Sequence, residues 1–519
     1  MGKCLFQAFS KRKKIRKETF MTSLTKKLFL SLFSVAAAVC LAVGIFALPV
    51  QKSSALSADI VTLNDIGDFD IEGTVLSGLS PTGEEKIGGK PYEVVIPESV
   101  TAISANAFAV STSNANKLES VTVPAGVTSI GERAFAGQRG LLVINFNATA
   151  CNDFAAGNTN PFYNAGLSAD GGITVNIGAV NKLPANMFNG GSTTGNTVNV
   201  GAVNFNGASI AAGNFGAYAF AYNRNLKTVN FSNTSIEEIG SYAFAYTAIG
   251  EIAIPDEVKT IKNNAFANSS ISNLQFTNNS TLAIIEENAF TSSRVGVVGI
   301  PASVTSIGAN AFMNCAALTR VTFGGNSIKT ISGSTFEGCT ALETAALPEG
   351  VEMIGQRAFN GCTSLKTITV PASVTSIGVS AFGGCTAVTE IHYLAASATT
   401  PASSPFQNGG AAKVYIGNTA SKVTMLPAYL FNNTNISEVE FVNAEIGSVT
   451  NFNNSVFSSC AKLTTVNFNN QQVSVIGENV FSGCTSLYSL TLPTALQTIG
   501  VGAFNNCSSL YRLTVPASV

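Results

Sequence analysis

The stretch Leu365-Lys-Thr-Ile-Thr-Val-Pro-Ala-Ser-Val-Thr-Ser-Ile-Gly-Val-Ser-Ala-Phe-Gly-Gly-Cys385 decides the fold. Its opening alternates, with Ile368 and Val370 apolar and Thr367 and Thr369 polar, the period of two expected of a half-buried strand. Pro371 has no amide N–H to offer a ladder and ends that strand. Val374 and Ile377 turn a second short apolar segment inward, Gly378 permits a turn, and Ala381-Phe382 with Cys385 suit a short helix-like turn. A unit this short has one apolar edge and nothing to cover it, so it is stable only when copies stack.

Copies are abundant. Phenylalanines mark their period, at nearly regular intervals, at Phe108, Phe135, Phe162, Phe188, Phe220, Phe244, Phe266, Phe290, Phe312, Phe336, Phe359, Phe382, Phe406, Phe431, Phe457, Phe481 and Phe504. Stacking turns equivalent positions into ladders, namely a Phe column, an Ile/Val column and a Cys column, and joins the strands into a long parallel sheet. The expected fold class is therefore an α/β repeat, a solenoid with a long parallel β-sheet and short helical or irregular turns. The phrase Leu-x-x-Ile-x-Val-Pro-x-x-Val-x-x-Ile-Gly-x-x-Ala-Phe-x-x-Cys, as it stands in Leu365–Cys385 and with Leu variants in Leu487–Cys507, resembles the BspA-like class of leucine-rich repeats. That resemblance covers roughly residues 91–519. It implies a curved solenoid on a microbial surface that serves adhesion and protein binding rather than catalysis.

Residues 145–245 and 391–480 both depart from the consensus, and the departures match: Pro161-Phe162 with Pro405-Phe406, Leu183-Pro-Ala185 with Leu426-Pro-Ala428, and Thr228-Val-Asn-Phe231 with Thr465-Val-Asn-Phe468. The members of each pair are separated by nearly the same interval, which points to a duplicated block of repeats. Residues 59–90, rich in Gly, are expected to cap the open N-terminal end. At the other end Leu510, Leu513 and Val515 are the inward residues of a further strand, and Val515-Pro-Ala-Ser-Val519 stops halfway through a unit. The expectation is that the natural chain continues for at least one more coil.

Residues 1–58 read as an address. Nine Lys or Arg and one acid, Glu18, lie within residues 1–27, and an apolar run follows from Leu28 to Leu48. Charged, apolar and small-residue regions in that order predict a secretory signal. An uncleaved membrane anchor is the alternative, because the run from Leu28 to Leu48 approaches the length of a span. Met21 would begin a more ordinary signal than Met1. Membrane contact is expected only through residues 28–48. From Asp59 onward 19 basic against 29 acidic residues leave a net charge of −10, which speaks against a nucleic-acid partner.

Cys315, Cys339, Cys362, Cys385, Cys460, Cys484 and Cys507 each stand three positions after a column Phe. Regular phase puts each thiol at the same buried point of its own coil, so unpaired thiols are expected rather than disulfides or a metal site. His392 is the only histidine and has no cysteine partner at metal-ligand spacing. No cofactor and no catalytic group are expected within the repeats; a catalytic module beyond residue 519 and a structural spacer are the alternatives to binding. The structural columns of the expected core are Phe312, Phe336, Phe359, Phe382, Phe481 and Phe504 beside Cys315, Cys339, Cys362, Cys385, Cys484 and Cys507. The candidate partner-binding face is the outward side of the strands: Thr122, Thr322, Thr369, Thr491 and Thr514, flanked by Arg320, Lys366, Tyr488, Tyr511 and Arg512. Thr also favours strands for its own sake, so the same pattern reads as plain solubility or as a docking surface for a protein.

Overall fold

The computed structural model describes residues 56–519 apart from 111–116, 155–159, 192–197, 397, 401–402, 419, 421–422, 443–449 and 470. The signal or anchor expected over residues 28–48 lies outside the described residues. Among the described residues no helix is long and apolar enough to cross a membrane.

Within each sheet, a coil contributes its alternating segment as a strand paired in parallel with the neighbouring coils. Thr367–Val370 aligns with Glu390–Tyr393, that strand with Lys413–Ile416, and so on through Glu438–Phe441 to Thr465–Asn467. Four such sheets of seven, five, five and two strands succeed one another along this side. The second ends at Thr344–Ala345, before the third begins, because Ala345 and Ala346 replace the Ile and Thr of the consensus and shorten the strand. The second apolar segment also pairs: short strands such as Met353–Ile354 and Ser376–Ile377 form a second line of parallel ladders.

The Phe turn takes the irregular form, not the helix-like one. Alternate amides bond across coils, Phe312 N–H donating to Thr335 O at 2.9 Å, Phe336 to Ala358 O at 2.8 Å and Phe359 to Ala381 O at 2.7 Å, while those between them bond three residues back, as Met313 N–H does to Asn310 O at 3.0 Å. Left-handed residues stand two positions before and two positions after most column phenylalanines, as Asn310 (φ 56) and Asn314 (φ 57) do around Phe312. Asn is the commonest occupant, since its short side chain tolerates that conformation. Phe162 and Phe406 lack the first of these left-handed residues. Both follow a proline, which holds the residue before it extended. The residues so placed, Asn160 and Ser404, accept from Phe162 N–H (2.9 Å) and Phe406 N–H (3.0 Å) and donate to Asn186 O and Leu430 O. The paired departures in sequence are thus the same local solution made twice.

Seventeen phenylalanine rings run as one uninterrupted stack. Successive centroids are 5.1 to 5.7 Å apart from Phe108 to Phe504, close to the spacing of paired strands. Phe312, Phe336 and Phe359 are wholly buried. The low charge of the chain finds its reason here too. Serine and threonine hydroxyls staple coils together by donating to the carbonyl of the preceding one: Thr375 to Glu352 O (3.1 Å), Thr399 to Thr375 O (3.2 Å), Thr424 to Ala396 O (3.0 Å) and Thr450 to Thr424 O (3.3 Å).

Residues 59–90 supply the first rung of both ladders, Val61–Leu63 pairing with Tyr92–Val95 and Val75–Leu79 with Ala102–Ile103. They also hold an α-helix, Pro81–Ile87, with Pro81 in its first turn, the Ser80 hydroxyl accepting from Gly83 N–H and Gly88 left-handed (φ 54) at its end. Lys86 on this helix reaches buried Asp68 at 2.9 Å.

Candidate interaction surface

The ten candidate residues of the strand face fall into three outward rows. Thr122, Thr322, Thr369, Thr491 and Thr514 occupy one row; Arg320 and Arg512 stand two positions earlier in their strands; Lys366, Tyr488 and Tyr511 immediately precede theirs. All but Thr122, which is half-buried, are exposed. The rows do not gather these residues at one place. Thr122 and Thr322 lie eight strands apart, roughly 38 Å at about 4.8 Å per strand.

Local partners distinguish the members. Lys366 Nζ sits 2.6 Å from a carboxylate oxygen of Glu343 on the preceding coil. That hydrogen bond, then the Glu343–Lys366 charge attraction, holds the Glu343 carboxyl below its ordinary range. The pair is exposed and contributes little to stability. Tyr488 and Tyr511 stack at 5.8 Å, beside Arg512. Thr122 Oγ1 accepts from Asn145 Nδ2 at 3.0 Å.

Two clusters on this face were not singled out from the sequence. Asn145 begins an amide ladder: Asn176 donates to Asn145 (2.8 Å), Asn204 to Asn176 (2.9 Å) and Asn230 to Asn204 (2.8 Å). The four stand at unequal distances from their column phenylalanines, so the strand register, which aligns Asn145 with Asn176, Asn176 with Asn204 and Asn204 with Asn230, is what puts them in one row. Farther along, His392 stacks on Tyr415 at 4.9 Å, and Lys413 lies over the Tyr415 ring at 5.0 Å while bridging Glu440 (2.7 Å) and Glu438 (3.7 Å). The hydrogen bond to Glu440 holds the Lys413 ammonium above its ordinary pKa. Glu390 faces His392 at 3.3 Å. The sequence shows His392 as a lone histidine because the ring it stacks on lies one coil away.

Behind the face, the cysteines have a structural task. Each of these thiols donates to the carbonyl of the column Phe one coil earlier: Cys339 to Phe312 O (3.2 Å), Cys362 to Phe336 O (3.3 Å), Cys385 to Phe359 O (3.3 Å), Cys484 to Phe457 O (3.2 Å) and Cys507 to Phe481 O (3.0 Å). Other coils put a different donor there, such as Gln138 to Phe108 O (2.7 Å) and Asn223 to Phe188 O (2.5 Å). The described cysteines are free, and all but Cys507 are fully buried. Burial pushes the thiols up, Cys315 to about 11 and Cys385 to about 12, so they stay protonated and unreactive. Among the described residues no group of His, Cys, Asp and Glu is arranged to hold a metal ion.

A sequence profile described as "BspA type Leucine rich repeat region (6 copies)" matches residues 90–192, 213–341, 283–413 and 402–519. No curated protein sequence matches the chain. Among solved structures, a leucine-rich repeat protein from Bacteroides ovatus is 20% identical with a TM-score of 0.37, the alignment covering 87% of each chain. A leucine rich cell surface protein from Faecalibacterium prausnitzii is 19% identical with a TM-score of 0.28, over 86% of this chain and 91% of that one. The pneumococcal vaccine antigen PcpA is 14% identical with a TM-score of 0.34, over 83% of this chain and 90% of that one. With most of its length matched by the repeat profile and every coil built on the same Phe column, the chain belongs to the BspA-type leucine-rich repeat family.

Proposed function

We propose that this protein is exported to the cell surface and binds another protein through the outward face of its strands. The observation that carries this reading is the composition of that face, where His392 stacks on Tyr415 beside Lys413 and Tyr488 stacks on Tyr511 beside Arg512. Tyrosine and arginine on a rigid scaffold are the residue types that dominate protein recognition. Export rests on the basic flank and apolar run of residues 1–58, and membrane contact on residues 28–48 if they remain uncleaved. The net charge of −10 beyond residue 58 favours a protein partner over nucleic acid.

The test is a binding screen of the full chain against host and microbial surface proteins, followed by Lys366→Glu, Arg512→Glu and Tyr415→Ala in any complex found. Loss of affinity in these variants, with unchanged melting, supports the strand face; unchanged affinity in all three removes it. The block duplication favours a second reading, a spacer lengthened by copying, and uniform failure of the screen would select it.

A further inference from the structure

Tyrosine is out of place in the left-handed turn positions, which suit Asn and Gly, yet five of the eleven tyrosines occupy them. Four gather on two adjacent coils: Tyr218 and Tyr222 bracket Phe220, and Tyr242 and Tyr246 bracket Phe244, with φ between 55 and 63. Tyr218 stacks on Tyr242 at 4.5 Å and Tyr222 on Tyr246 at 4.8 Å, both tighter than the 5.5 Å between the two phenylalanines inside. Nothing in the coil requires these rings, because the next coil makes the same turn with Asn264 and Asn268. Partial burial first, then the neighbouring phenols, raises the Tyr218 and Tyr222 pKa values, and a phenol is in any case a neutral donor and acceptor at neutral pH.

We propose that this tyrosine quartet, on the turn edge and separate from the strand face, binds a neutral oligosaccharide. Two properties of the site select that ligand. Its surroundings are amide and hydroxyl groups: Asn264 and Asn268 follow it, Asn186 precedes it, and Ser241 donates to Asn263 at 2.5 Å. Within the turns that carry and follow the quartet the formal charges are Arg224 and Lys262, and Lys262 is engaged by Glu286 at 3.0 Å. Hydroxyl-rich ligands match such uncharged donors and acceptors beside accessible aromatic rings, here half-buried Tyr218, Tyr222 and Tyr242 and exposed Tyr246. The extent is also small. The aromatic patch spans two coils, about 10 Å at about 4.8 Å per coil, far short of the roughly 800 Å² per partner that a stable protein interface buries.

The test uses the full chain with maltohexaose, cellohexaose, xylohexaose and mannohexaose as probes. Since the chain has no tryptophan, tyrosine emission provides one readout and saturation-transfer NMR a second. The expected result is saturable binding of at least one probe with Kd below about 10 mM, weakened at least tenfold in Tyr222→Asn/Tyr246→Asn. That variant carries the residue the next coil uses, and its melting temperature should stay within a few degrees of the parent. Tyr429→Asn, a left-handed tyrosine outside the quartet, should bind as the parent does. Absence of saturable binding for all four probes would overturn the proposal, as would parental affinity in the double variant, equal weakening by Tyr429→Asn, or a quartet that captures a protein and no probe.

Discussion

Gly409 offers a sharp test of how the core is assembled. It stands three positions after Phe406, where four preceding coils carry Cys315, Cys339, Cys362 and Cys385 and the next carries Thr434. The missing side chain leaves a cavity of about 10 Å³ lined by Phe382, Cys385, Val388, Phe406, Thr434 and Ile436. A Cβ at Gly409 would lie 3.2 Å from Phe406 O and 3.8 Å from Cys385 O, close but without backbone collision, and the residue does not use left-handed φ. Gly409→Ala should therefore stabilise. Restricting the unfolded chain contributes about 0.4–1 kcal/mol, and burying one methyl about 0.8 kcal/mol, giving about 1–2 kcal/mol together. Because a solenoid is stabilised coil by coil, the gain should concentrate locally. Urea unfolding gives the global figure, and hydrogen exchange at the amides of Phe382 and Phe431 should slow relative to those near Phe135. A loss of about 0.5 kcal/mol or more, or an even spread of slowing along the chain, would refute the picture of a gap in a column and show that the 3.2 Å approach dominates.

Other consequences can be measured. Phe336→Ala removes a ring stacked at 5.6 Å on Phe312 and 5.2 Å on Phe359 and should cost about 3–5 kcal/mol, read by chemical denaturation. Tyr393 is fully buried and its hydroxyl meets no protein partner among the described residues, so Tyr393→Phe should stabilise by about 1 kcal/mol in the same assay. The buried thiols should make the fold sensitive to alkali. Their folded pKa values lie above the ordinary 9.0, Cys460 at about 11 and Cys385 at about 12, so their contribution is complete below pH 9 and is lost as pH rises towards 11–12, where the unfolded chain ionises first. Melting temperatures between pH 8 and 11 should fall, and fall less in Cys362→Ser/Cys385→Ser; a flat profile would contradict the burial of the column.

The sequence by itself settled the repeat, its period, and which residues point inward. Apolar residues at alternate positions, a proline that ends the strand and a Phe recurring at nearly regular intervals admit only stacked coils, because one coil cannot cover its own apolar edge. Every strand-face candidate could be named from that pattern, but its neighbours could not. Whether Lys366 meets Glu343, or His392 meets Tyr415, depends on the register between successive coils, and the lengths of the intervening turns set that register. The left-handed turns, the second ladder and the carbonyl partner of each thiol were decided in the same way. Within one unit, Ala381-Phe382 allows a helical turn; in the stack, the neighbouring coil offers Phe382 N–H the carbonyl of Pro405 at 2.8 Å, and the cross-coil bond wins. Local chemistry wrote the unit, and the hydrogen bonds available only between units chose its conformation.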